Sequence, residues 1–426
     1  MTTALFPTSA QIEAQTPADR DRAIDVIRIV SLIGVVFGHT VMATSMITGG
    51  VFLWGNLLTT SPLLQAATWV LQIMPLFFFA GAAASVQSWR SGIPWGGWLL
   101  KRCTRLYRPV FYYLVFWALA LTMLHPFLPV NVYRPIAGIS IQLLWFLGVY
   151  VMVLAAMPLL ARITTATRLA VAVAAIYALV ATVDVLRISH FAPAALGFVN
   201  FAAWLIPGMF GVAYRRRLLT GATALRIGLA MLVINVALVR FGPYEVSLVG
   251  IDTQHIKNMT PPSLLLAGHA IMMCAFIIAA APAITRWAAR PGAWRLAVIG
   301  NTGAMTLYLW HMPVLLGTHL GFDLLGWARY PGQPHFIAIS IAELAIVFAL
   351  VALLFVVLRP LENNPLRGWD GGHVDRPGLR SAAVGMLLMS AGAANLLAIQ
   401  CGLKDQGLYW VGAMLLALGT ACALAR

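Results

Sequence analysis

The stretch AIDVIRIVSLIGVVFGHTVMATS, residues 23–45, decides how the rest of the chain is read. It is long and apolar enough for a membrane-spanning helix, which needs about 20 residues, yet it contains Asp25, Arg28 and His39. Charge inside a membrane helix is costly, so such residues face the protein interior or a wet cavity and serve a purpose there. Arg28 and His39 stand eleven residues apart. At about 100° and 1.5 Å per residue they project from one face within about 20°, separated by about 16 Å along the axis. Asp25 lies three residues before Arg28 and is spaced to pair with it.

Composition extends that reading to the whole chain. Of 426 residues, 61% are hydrophobic and only 10% charged, and the mean hydropathy is +0.86, values outside the range of a water-exposed globule. The expected fold class is all-α, a polytopic membrane helix bundle. Cys103, Cys274, Cys401 and Cys422 have neither metal-binding nor redox spacing, so no disulfide framework and no metal site is expected. The polar first twenty residues lack the basic start and short apolar core of a cleaved signal peptide.

A spanning length of about 20 residues picks out twelve expected spans, centred on 23–45, 62–88, 109–124, 138–161, 169–186, 195–214, 224–241, 262–285, 298–320, 336–358, 381–400 and 407–425. Segments 46–60 and 125–137 read as loops or interfacial turns. With the N-terminus inside, 22 of the 28 Lys and Arg residues fall on inner segments, so the positive-inside rule puts both termini in the cytoplasm. The net charge of +15 is mostly this bias, which anionic membrane lipids satisfy, and it calls for no nucleic-acid partner. One cluster is richer than topology needs. In KRCTRLYRP, 101–109, Arg102, Arg105 and Arg108 recur every three residues and spread over about a third of a helix circumference. That face suits a polyanion with several phosphates, and equally a snorkelling membrane anchor.

These residues resemble a family. RDRAIDVIRIVSLIGVVFGHT is similar to the opening of the acyltransferase 3 family of integral-membrane acyltransferases, marked by an arginine, ten residues and a histidine in the first span, here Arg28 and His39. The family's arginine pair at the start of the third span is matched by Arg102 and Arg105. QLLWFLGVYVMV at 142–153 and GNTGAMTLYLWHMPVL at 300–315 are weaker echoes, the second through Tyr308, Leu309, His311 and Pro313. The resemblance covers about residues 20–362. It divides the chain into a tail over 1–20, an acyltransferase-like membrane domain of about ten helices over 21–362, and a linker with two additional helices over 363–426.

The resemblance implies transfer of an acyl group, usually acetyl, from cytoplasmic acyl-CoA to a hydroxyl of a sugar, glycolipid, polysaccharide or metabolite, in the inner membrane of a bacterial cell. An alcohol is a poor nucleophile at neutral pH, and a positioned imidazole that removes its proton meets that need. His39 is the candidate base. Attack on the thioester develops negative charge on the carbonyl oxygen, for which Trp145, Tyr308 and His311 are candidate donors; the same three are alternatively candidates to bind the acceptor or to support the reacting residues from behind. Arg28 has two readings: it holds a phosphate or the amide arm of CoA, with Arg102, Arg105 and Arg108 at the mouth, or it pairs with Asp25 and fixes the helix.

Other polar residues carry weaker expectations. Glu343, in an otherwise apolar span, is expected to orient His39 or His311, to bind an acceptor hydroxyl, or to make a structural hydrogen bond. His269 reads as a packing histidine, Asp184 and Arg187 as a local ion pair, and His319 as an outer boundary residue. The loop at 242–263, with Tyr244, Glu245, Asp252, His255 and Asn258, is the longest outer segment and an expected place for acceptor recognition. A secondary transporter for a small metabolite or lipid-linked sugar is the rival class, since carriers also use intramembrane Arg, His and Glu; the halves of this chain show no repeat. Oligomeric state is left open by the sequence.

Overall fold

The computed structural model describes residues 6–90, 92–251 and 256–426. Eleven helices among these are long and apolar enough to cross a membrane, and the protein is a polytopic all-α bundle. The expected span at 298–320 has a different form, two helices, Pro291–Asn301 and Ala304–Leu324, with a break at Thr302 and Gly303. A Cβ at Gly303 would meet the Phe355 ring at 2.7 Å, so glycine at the break lets the neighbouring helix approach closely.

Three other boundaries differ from expectation: the fourth span opens with the helix Val130–Ile139, inside the expected loop 125–137, and ends at Ala155. The first membrane helix, Arg22–Met42, ends three residues early, because residues 43–56 form an antiparallel hairpin, Ala43–Thr48 with Val51–Asn56. Both strands are rich in β-branched and aromatic residues, and Gly49 and Gly50 supply the positive φ of 54° and 76° that a two-residue hairpin turn requires. The third span starts at Trp95, not 109, and runs to Leu124 with Pro109 inside it. Arg102, Arg105 and Arg108 therefore sit within the helix, not ahead of it.

The chain forms two interleaved compact units. One comprises residues 1–35, 61–89 and 156–302, and its apolar core is built from aliphatic, aromatic and small side chains including Phe79, Ala83, Ile206, Phe210, Ala270 and Cys274. The polar N-terminal segment is folded within it. Thr8 caps the helix Ser9–Gln15, Glu13 pairs with Arg22, and Trp294 Nε1 donates to Thr16 Oγ1 at 2.8 Å.

The other unit comprises residues 36–60, 90–155 and 303–426. The last two helices, Leu379–Cys401 and Gln406–Ala425, are packed into it. A Cβ on Gly96 would sit 2.0 Å from the backbone oxygen of Ser381, and one on Gly148 would sit 2.7 Å from that of Gly392. Small residues let membrane helices approach backbone to backbone, where van der Waals contact drives association. Asn395 Nδ2 adds a buried hydrogen bond of 2.6 Å to Leu144 O.

Candidate active site

His39 lies near the end of Arg22–Met42, in the second unit, and is exposed although it belongs to a membrane helix. Its Nδ1 is 2.9 Å from Nε2 of His311, and the two rings stack at 5.2 Å with 18° between their planes. His311 is fully buried on Ala304–Leu324, and its Nδ1 lies 3.3 Å from the carbonyl of Leu307. A carbonyl only accepts, so His311 Nδ1 carries a proton; in the neutral ring its Nε2 is then a bare acceptor. His39 Nδ1–H donates to it. By elimination, Nε2 of a neutral His39 is unprotonated, and among the described residues it has no hydrogen-bond partner, the tautomer a general base needs.

The other candidate donors divide. Tyr308 is buried and its hydroxyl donates to Leu143 O at 2.7 Å. Its one proton is committed to a carbonyl, which corrects its expected role as a free oxyanion donor. Trp145 opens the helix Trp145–Ala155 and is half-buried.

Arg28 lies in the first unit, within a different network. Asp25 is buried and takes Arg20 bidentately, at 2.6 and 3.0 Å; that carboxylate raises the Arg20 pKa above its usual value, chiefly through the hydrogen bond. Arg28 reaches Asp25 only at 3.3 Å, and its shorter bond runs from Nε to Asn301 Oδ1 at 2.6 Å. Asn301 in turn donates to the Asp25 carbonyl at 2.9 Å. The spacing of Asp25 and Arg28 shows their pairing, but the residues that settle it, Arg20 and Asn301, lie off that helix face. Arg28 Nη1 has no partner among the described residues.

The three arginines of the third span do not share one open face. Arg105 is exposed, and Arg102 stacks its guanidinium 3.6 Å from the centre of the Trp98 ring. Arg108 is buried, with Nε 3.1 Å from Asp370 and Nη1 2.8 Å from Glu362 O. Asp370 takes one edge of this guanidinium and meets its charge, and Glu362 O takes a third donor among its five N–H groups, so buried Arg108 is committed to the protein and is a poor match for a phosphate, which corrects the expectation for Arg108.

Glu343 is fully buried and contacts neither His39 nor His311. Its Oε1 lies 2.6 Å from His319 Nε2 and 3.2 Å from Arg329 Nη1. Arg329 also donates to the carbonyls of Thr40 at 2.6 Å and Val41 at 2.7 Å, the last turn of the His39 helix. Ser45 joins the far side, 2.8 Å from His319 Nδ1 and donating at 2.6 Å to Asp323. His319 is thus a buried member of a network, not a boundary residue. The signal in the sequence was a single outer arginine, Arg329, unremarkable until the fold buried it.

The remaining expectations concern the first unit. His269 Nε2 donates to Trp69 O at 2.9 Å. Asp184 lies 3.7 Å from Arg187 but is held more tightly by Asn200 at 2.8 Å, Tyr244 at 3.0 Å and the Leu264 amide at 2.8 Å. Burial pushes the Tyr244 phenol well above its usual pKa. Asn258 donates to Glu245 O and Ser247 O, both at 2.8 Å, so Tyr244 and Asn258 are occupied in holding the 242–263 loop itself. Asp252 and His255 lie outside the described residues.

The family model for the acyltransferase domain of acyltransferase 3 matches residues 21–359. No curated protein and no solved structure matches the chain. The match takes in His39, His311, Arg28, Arg102 and Arg105, and with eleven apolar helices of spanning length among the described residues it establishes that this chain belongs to the acyltransferase 3 family and is a multi-pass integral-membrane acyltransferase.

Proposed function

We propose that the protein moves an acetyl group from cytoplasmic acetyl-CoA to a hydroxyl of a carbohydrate, glycolipid or metabolite, in the inner membrane of a bacterial cell, with both termini in the cytoplasm. The observation that carries this reading is the exposed His39 whose Nδ1 is spent on buried His311. In the proposed step the acceptor hydroxyl gives its proton to His39 Nε2 as its oxygen attacks the thioester carbon. The tetrahedral intermediate expels the CoA thiolate, and the imidazolium returns the proton to that sulfur. Hydrogen bonding from Nδ1–H to His311 holds the ring and spreads the positive charge as it forms. Both substrates are bound together, so no acyl-enzyme is required.

On the donor side, Arg28 Nη1, Arg102 and Arg105 are the cations that would meet the phosphates or amide arm of CoA. The direct test uses the protein in lipid nanodiscs with acetyl-CoA labelled on the acetyl group, scored against cell-envelope extracts of a deletion strain. One acetyl mass shift on an envelope component supports the reading, and no transfer to any fraction sinks it. Arg102→Ala combined with Arg105→Ala is expected to weaken acetyl-CoA binding about tenfold or more, the loss of one or two charge-assisted contacts; unchanged affinity in a direct binding titration returns both residues to membrane anchoring.

A further inference from the structure

The second unit holds a cleft of about 510 Å³ whose lining includes Phe52, Trp54, Gly138, Gln142, Tyr330 and Lys404. That volume falls within the range of about 300–1,000 Å³ usual for small-molecule sites. All its walls come from segments the charge asymmetry puts on the outer side: the hairpin, the start of the fourth span, the 325–335 loop and the turn between the last two helices.

The lining chemistry is specific. Trp54 and Tyr330 give aromatic faces on which the C–H face of a sugar ring stacks, and each carries a polar tip suited to a hydroxyl; buried Phe52 packs beside Trp54 at 6.1 Å between ring centres. Gln142 adds an amide donor and acceptor, and none of the polar ends of Trp54, Tyr330 or Gln142 is used within the described residues. One charged group lines the cleft, the ammonium of Lys404.

Lys404 is built into place. Gly402, at φ 70°, lies against Gly138, where a Cβ would come within 2.4 Å of Gly138 Cα. Leu403 N donates to Ala137 O at 2.8 Å, and Asp405 pairs with Arg134 at 2.6 Å. These contacts neutralise Arg134 and leave the Lys404 ammonium with one long bond, 3.5 Å to Arg134 O. The cleft also stands close to the histidine pair along the bundle. The Trp54 ring packs edge-on against His319 at 4.9 Å, and His319 is eight residues beyond His311 on one helix, about 12 Å along its axis.

We propose that this cleft is the acceptor site and that Lys404 makes it select an acidic sugar, a hydroxyl-rich ring bearing a carboxylate. The proposal rests on the acyl-transfer reading above, and it assigns a job to the chain beyond the family match, since Lys404 lies past residue 359. The aromatic wall binds the ring and the lysine ranks charged rings over neutral ones.

The test is binding by saturation-transfer NMR to the full chain in nanodiscs, without acetyl-CoA, of methyl β-D-glucuronide and methyl β-D-glucoside. The glucuronide is expected to bind about tenfold more tightly, the yield of one charge-assisted contact. Lys404→Met, which keeps the chain length and loses the charge, should bring the ratio of the two affinities to about one, and Trp54→Ala should weaken both ligands. Equal affinities in the native protein, no saturable binding of either sugar, or a ratio unmoved by Lys404→Met overturns the proposal. Acetyl transfer is read separately. Glucuronide binding without any transfer removes the proposed acetyl transfer from acetyl-CoA and leaves the cleft, whereas transfer with no preference for charge removes the cleft's assignment alone.

Discussion

Acetyl transfer falls about 10²- to 10⁴-fold when His39 is replaced by glutamine, the range over which a positioned general base contributes. Glutamine suits the test because its amide N–H can still donate to His311 Nε2, so the helix end keeps its hydrogen bond and only the basic nitrogen is lost. Acetyl-CoA affinity should stay within about twofold, because Arg28, Arg102 and Arg105, the cations proposed to meet the donor, are untouched. The measurement is single-turnover transfer from labelled acetyl-CoA, with a parallel binding titration. Transfer at the native rate in His39→Gln would remove His39 from the chemistry. His311→Ala provides the companion result. It deletes the acceptor that fixes the His39 tautomer, leaves the base itself, and is expected to lower the rate by about one to two orders of magnitude, less than loss of the base.

The second large effect is on stability. Arg329→Met is expected to cost about 3–5 kcal/mol, the usual consequence of leaving a buried charge without its partner. Glu343 is fully buried, and without the guanidinium at 3.2 Å its carboxylate depends on His319 alone. The same substitution strips donors from the Thr40 and Val41 carbonyls, which end a membrane helix and have no other obvious source of hydrogen bonds in an apolar setting. Adding Glu343→Met to Arg329→Met should recover much of the loss, since an apolar pair of similar volume is often neutral where half an ion pair is not. Thermal unfolding in detergent, read on the two single variants and the double, decides the matter. Additive losses in the double variant would mean that the two residues do not act as a pair.

These effects come from residues that differ widely in how visible they are in the sequence. Arg28 and His39 stand out because a charged or titratable side chain is rare in a spanning helix, and helical periodicity alone places them on one face. Arg108 looks equivalent to Arg102 and Arg105 by spacing, yet Asp370, more than 250 residues away, occupies it. Arg329 reads as an outer-loop cation and Ser45 as the tail of the first span, because neither local composition nor periodicity encodes a partner on another helix. Asn301 is hidden for the same reason: a lone amide at a helix end carries no signature until its acceptor and donor neighbours are brought to it.

The sequence by itself determined what depends on composition and on the one-dimensional period of the helix. Apolar runs of spanning length, the lysine and arginine bias between alternate loops, and the Arg28–His39 spacing all follow from local chain chemistry, since the bilayer imposes length and charge rules on every segment separately. Only the tertiary structure decided which polar groups meet. It brought His311 to within 2.9 Å of His39, gave Asp25 to Arg20 before Arg28, buried Arg108 and Arg329, and folded residues 43–56 into a hairpin that forms one wall of a cleft. Hydrogen bonds and ion pairs act over about 3 Å, a distance that chain folding alone creates between residues hundreds of positions apart.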